Sequence, residues 1–189
     1  MDRGISDRNI LEKFCEDFCR IAEKHCKYII VSGFVAIASG RTRATEDIDM
    51  IIERLPREKF IVMHNDLENN GFECLQSTNP EEIYSYLINE NSIRYTLKEN
   101  KLFPPEMEVK FVKDALDEWQ LKERQKISFI GLDVWFSSIN FNIAFKEEWL
   151  GTDKDCEDAN HLREIYKGDI SNDEIEKIKK MIIHLRKKE

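Results

Sequence analysis

The chain is poor in residues that interrupt regular structure. Its 189 residues include 7 glycines and 4 prolines, too few for a Pro/Gly-rich linker and in keeping with a helix-rich protein. It also lacks a long apolar run. The longest is broken at Ser32 and Gly33, far short of the ~20 residues a bilayer requires, so no transmembrane helix is expected. The opening Met-Asp-Arg-Gly-Ile-Ser has no apolar signal core, and a cytoplasmic location is the expectation. Paired cysteine motifs are missing as well. Cys15, Cys19, Cys26, Cys74 and Cys156 are odd in number with no C-x-x-C, which excludes a closed zinc set and predicts reduced thiols. Positive charge is the minority sign: 29 Lys plus Arg against 37 Asp plus Glu, a net −8. Such a surface repels phosphate backbones unless its basic residues gather locally, and bulk nucleic-acid binding is disfavoured.

What is present suffices for a core. Apolar residues make up 41% and charged residues 35%, and the length prior gives roughly 1.3 domains. Ile10, Leu11, Phe14, Phe18, Ile21 and Ala22 recur at helical spacing, predicting an amphipathic helix over about 6–25. A β-branched run over 28–31, the turn Ser32-Gly33, a small apolar helix over 34–39 and an Ile-rich alternating strand over 47–53 follow. Pro56 opens a helix to about Asn70 with Gly71 as its left-handed stop, a strand resumes over 72–76, and Asn79-Pro80 caps a short helix through Leu87. Strands over 92–97 and 107–112 are expected to pair as a hairpin. A helix over 114–122, two short strands around Gly131 within 127–136, and helices after Ser138 complete the reading, the last one entered through a Ser171/Glu174 capping box. The expected fold class is α+β: one unit over 1–137 carrying the sheet, and a helical C-terminal subdomain over 138–189. His25, His64, His161 and His184 share no spacing and are assigned no catalytic role. Trp119, Trp135 and Trp149 read as core residues.

The chemistry concentrates in Val31-Ser32-Gly33, then Asp47-Ile48-Asp49, then Met107-Glu108-Val109. On a strand, residues two apart face the same way, so Asp47 and Asp49 share one small space. Carboxylates that close raise one another's pKa or take up a cation, and an oxygen-only donor set suits Mg²⁺. Glu108 is the candidate third carboxylate, with Glu106, on the same face, as the reserve. Ser32-Gly33, where a strand turns into a helix, offers backbone N–H groups to phosphate oxygens. A triphosphate held between these donors and two metal ions would lose pyrophosphate to an attacking oxygen, which is nucleotidyl transfer. Arg43 can serve the phosphates or pair with Glu46 or Asp47, and Lys146, among Phe141, Phe145 and Trp149, can simply snorkel from a packed helix.

These residues resemble the DNA polymerase beta-like nucleotidyltransferases, whose pattern h-G-[GS], D-h-[DE]-h, h-[DE]-h reads here Ser32-Gly33, Asp47-Ile48-Asp49-Met50 and Met107-Glu108-Val109. The run Arg43-Ala44-Thr45-Glu46-Asp47-Ile48-Asp49 is similar to the R-x-T-x-D-[IL]-D form of AbiEii-like toxins and related minimal nucleotidyltransferases, and Lys146 with Lys154-Asp155-Cys156-Glu157-Asp158 is similar to their helical K and K-D-x-x-D elements. The resemblance implies a mixed sheet flanked by helices. It implies Asp47, Asp49 and Glu108 as ligands of two Mg²⁺ ions, with Mn²⁺ as a substitute. Ser32, Gly33, Arg43 and Thr45 would then lie near the phosphates, with Lys146 and Asp155 facing the nucleotide. The implied activity is transfer of an NMP from an NTP to an RNA or tRNA end, a protein or a small molecule, without a membrane and with a protein partner or homodimer allowed. Phe34 after Gly33, and Lys110 beside Glu108 as a neutralising cation, favour the alternative of a non-catalytic binding protein or toxin–antitoxin component of the same fold.

Overall fold

The structure is a computed structural model and describes residues 3–42, 47–98 and 105–186. Five strands form one mixed sheet: β1 (Tyr28–Val31), β2 (Asp47–Ile52), β3 (Phe72–Cys74), β4 (Ile93–Leu97) and β5 (Glu106–Phe111), in the order β1-β2-β5-β4-β3. Among the described strands only the pair β2 and β5 is parallel. The other neighbours are antiparallel, including the expected β4–β5 pairing.

Alternation decides which face is buried. Ile48, Met50 and Ile52 of β2 and Met107, Val109 and Phe111 of β5 turn to one side, where they join Tyr28, Ile30, Ile93 and Tyr95 in the main core. Three helices cover that side: α1 (Arg3–Ala22), α3 (Arg57–Asn69) and α4 (Pro80–Ile88). Their seating is aromatic. Phe18 meets Phe72 edge-on with centroids 5.1 Å apart and Tyr95 at 5.4 Å, and Phe60 meets Phe111 at 6.5 Å, offset geometries that aromatic quadrupoles favour. Local signals set the ends. Asn79 accepts the Glu81 N–H at 3.0 Å ahead of Pro80, and Gly71, with φ +91°, ends α3.

The opposite face is covered only in part. There Ile29, Ile51 and Val112 form a small cluster with Leu121 of α5 (Ala115–Lys122). The helices α6 (Ile139–Phe145) and α7 (Asp153–Ile165), joined by a π-helical turn at Lys146–Leu150, and α8 (Asn172–Arg186) add Phe141, Ile143, Leu162, Ile175 and Ile178 to the main core. Ser171 caps α8 by accepting the Glu174 N–H at 3.3 Å, while the Glu174 carboxylate takes the Asn140 amide at 2.7 Å instead of completing the box.

Residues 127–136 differ from expectation. They hold no strand, only turns and single bridges from Phe136 to Ile30 and to Gln125. Ile127, Ile130, Val134 and Phe136 are buried there, so an apolar run that reads as strand is a core-filling loop. The strand β3 is also shorter than expected and ends at Cys74; Gln76 spends its side-chain oxygen on the Arg94 N–H at 2.7 Å. Among the described residues no helix is long and apolar enough to cross a membrane.

Candidate functional site

Register brings the carboxylates together. In the parallel pair, Asp47 stands opposite Glu106 and Asp49 opposite Glu108, so two strands present four carboxylates on the open face at one end of the sheet. The antiparallel partner of Asp49 is Val31, the last residue of β1, which sets Ser32 beside this group. Ser32 has φ 65°, a left-handed value that L side chains avoid, and Gly33 begins the six-residue helix α2 (Gly33–Ala38). The unusual backbone thus falls on the serine, whose hydroxyl favours the charged form of the Asp49 carboxylate. Strain of this kind persists where surrounding structure enforces it.

The Asp49 carboxyl lies above its ordinary value. Burial is the main cause and the charge of Glu108 the next; Asp47 adds to both, while the Ser32 hydroxyl and Lys110 pull the other way. Neutralisation of Glu108, expected from Lys110 two residues on, comes from Arg94 across the sheet. Arg94 is paired with Glu108 between β4 and β5, and its Nε and Nη2 donate to Glu108 Oε2 at 3.1 and 3.0 Å, with Glu106 3.8 Å away. Arg94 is the site residue that sequence reading passes over. Its signal is an arginine between Ile93 and Tyr95, on the polar side of an otherwise apolar strand.

Among the described residues no three acidic, histidine or cysteine side chains converge on one point that would hold an ion. The donor chemistry nevertheless fits a hard divalent cation. The set is all carboxylate oxygen on one face, and the like charges that raise Asp49 are those a cation would offset.

A crystal structure of an antigenic nucleotidyltransferase-like protein from Paracoccidioides brasiliensis superimposes with a TM-score of 0.51, covering 96% of this chain and 88% of that one at 14% sequence identity. The fold is nucleotidyltransferase-like. At that identity the likeness is one of architecture. No family model matches the chain, and no curated protein does.

The other expected residues of this nucleotidyltransferase-like fold divide in two. Arg43 and Thr45 lie outside the described residues. Lys146 and Asp155 meet each other in the helical half. Lys146 is only 1% exposed, with its ammonium 2.8 Å from Asp158 Oδ2 and 3.5 Å from Asp155 Oδ1. Asp158 also faces Arg41, whose Nε lies 2.5 Å from Asp158 Oδ1, while Arg41 Nη2 donates to Glu157 at 2.6 Å. Asp155 sits in the first turn of α7, where Thr152 caps its N–H at 3.3 Å. In this conformation Lys146 is a buried counter-ion, neither snorkelling to solvent nor open to a ligand. Its position at the start of a π-helical turn is one at which such irregularity often marks function. The cluster ties α7 to Arg41, at the exit of α2.

Proposed function

We propose that the carboxylate face binds a nucleoside triphosphate and transfers its nucleoside monophosphate to a hydroxyl acceptor. The observation that carries this reading is the register of β2 against β5, which sets Asp47 and Asp49 on one face with Glu108, beside the strained Ser32 turn. An acceptor oxygen forms a bond to the α-phosphorus, the bond to the bridging oxygen breaks, pyrophosphate leaves, and the acceptor proton passes to a carboxylate of the face.

Asp47, Asp49 and Glu108 are the residues that would hold Mg²⁺, or Mn²⁺, which when bound neutralises phosphate charge and polarises the reacting phosphoryl group. Ser32 and Gly33 orient the phosphates, and the Ser32 hydroxyl favours the charged form of the Asp49 carboxylate. Arg94 exchanges Glu108 for a phosphate oxygen as the nucleotide enters, a bidentate guanidinium being suited to either partner. Arg43 and Thr45 belong to the same phosphate-side role. Lys146 and Asp155 act at one remove, holding α7 against Arg41. The acceptor class that suits a chain of net charge −8 is a small molecule, a protein hydroxyl or a short RNA end.

Titration calorimetry with a non-hydrolysable NTP analogue in Mg²⁺ tests the assignment. Binding by the parent protein and its loss in a folded Asp49→Ala variant is the expected result; equal binding by the variant overturns it. The Arg94–Glu108 pair favours a second reading, a nucleotide-binding protein of this fold without catalysis. It predicts analogue binding that is indifferent to Mg²⁺.

A further inference from the structure

A second site lies at the far pole of the sheet. The carboxylates occupy the first residues of β2 and β5. A cleft of about 630 Å³ opens just beyond their last residues, at Glu53, Arg54, Val112 and Lys113. Along β2 the cleft residue Glu53 lies four residues beyond Asp49 and six beyond Asp47, about 13 and 20 Å.

The cleft reverses the sign of the molecule. The chain carries −8 overall, yet Lys27, Arg54, Lys113, Lys122 and Arg124 line this one space against only Glu53 and Glu118. Among the described residues Lys27, Lys113, Lys122 and Arg124 make no ion pair, whereas most other cations here do. Lys24 and Lys126, for example, sit on Asp66 and Asp133. Glu53 is already engaged, accepting the Lys27 backbone N–H at 2.7 Å.

Arg124 is the best-formed element. Its guanidinium carbon stands 4.8 Å from the centroid of Trp135, and its Nη1 is shielded from solvent without a hydrogen-bond partner. Trp135 is itself fixed, its indole N–H donating to Glu23 at 2.8 Å and its carbonyl accepting the Ile30 N–H at 2.8 Å. With Leu121 and Val112 it gives the cleft apolar walls beside the cations.

We infer that this cleft binds a small phosphorylated molecule of nucleotide size, its phosphate on Arg124 and Lys122 and its body against Leu121 and Val112. The volume falls within the range of small-molecule sites, and a fork-shaped guanidinium stacked on an aromatic ring is a built phosphate acceptor. The site is distinct from the carboxylate face and does not rest on the function proposed for it.

The test is titration of the full chain with ADP and with pyrophosphate in EDTA, read by calorimetry and by tryptophan emission. EDTA removes metal-dependent binding at the carboxylate face. One site is expected, weakened about tenfold or more in Arg124→Gln and unchanged in Asp49→Asn. Lys122→Gln, at an exposed position, weakens binding without risk to folding and keeps the test decisive should Arg124→Gln not fold. No binding by the parent protein overturns the inference, as does equal binding by Lys122→Gln, or loss in Asp49→Asn. Tighter binding of single-stranded RNA that strengthens with its length also overturns it, because the cleft is then a nucleic-acid surface.

Discussion

Arg94 grips Glu108 from the directly paired position on the neighbouring strand, two N–H groups reaching one carboxylate oxygen at 3.1 and 3.0 Å. The pair occupies the position of the third carboxylate of the proposed site. Removing the guanidinium frees Glu108 to join Asp47 and Asp49. Arg94→Gln is therefore expected to raise Mn²⁺ affinity several-fold in the absence of nucleotide, as measured by calorimetry. Stability should change by less than about 1 kcal/mol, since Arg94 is 44% exposed. Unchanged Mn²⁺ affinity would show that Glu108 takes no part in holding metal.

Asp49 separates stability from function. Its folded carboxyl titrates above the unfolded value, so the contribution to folding is favourable below the unfolded pKa and turns unfavourable as pH rises through the folded one. Asp49→Asn should accordingly melt higher than the parent at pH 7 to 8, by roughly a degree or more, with the gap closing toward pH 4. The same variant should lose Mg²⁺-dependent nucleotide binding. A lower melting temperature across the whole range would contradict the like-charge reading of the site.

Lys146 is predicted to be a stability residue first. Lys146→Met takes the 2.8 Å ammonium from the fully buried Asp158 and leaves it Arg41, and loss of one hydrogen bond to a charged group costs about 1.5–3 kcal/mol. Urea unfolding should show a loss of that order, much reduced in the Lys146→Met/Asp158→Leu double variant. A loss below about 1 kcal/mol would mean that the pair is already solvated.

Glu147 gives an acid-side prediction. Burial pushes its carboxyl up, but hydrogen bonds from Arg163 and Lys179 outweigh this and hold it below its usual value. Depression of an acid supplies stability that is present above the unfolded pKa and lost as pH falls through the folded one. Glu147→Gln should cost about 1.5–3 kcal/mol at pH 7, and the difference from the parent should shrink below about pH 4 in pH-resolved denaturation.

Much of the architecture is legible from the chain because local chemistry and burial agree there. The strands over 28–31 and 47–52, the Asn79 cap and the Gly71 stop follow from residue type alone. The expectation that Asp47 and Asp49 share a face needs only the two-residue period of a strand. Which strand lies next to β2 is a long-range matter, so the choice between Glu106 and Glu108, and the presence of Arg94, depend on a register that no short window encodes. Ile127 to Phe136 misleads because an apolar β-branched run looks alike whether it pairs as a strand or fills a core as loop. Lys146 misleads differently. Its neighbours suggest a snorkelling lysine, and only the return of α7 brings Asp158 to it. The basic cleft is invisible for the same reason, since Lys27, Arg54, Lys113 and Arg124 are scattered through an acidic sequence and gather only on folding.

Incubation of the purified chain with each α-³²P-labelled NTP, Mg²⁺ or Mn²⁺ and total RNA, resolved on gels for RNA and for protein, tests the proposed transfer most directly. The account predicts label on RNA or on the protein itself, lost in both Asp47→Ala and Asp49→Asn. Label that persists in both variants, or no label with any NTP despite measurable nucleotide binding, would contradict it.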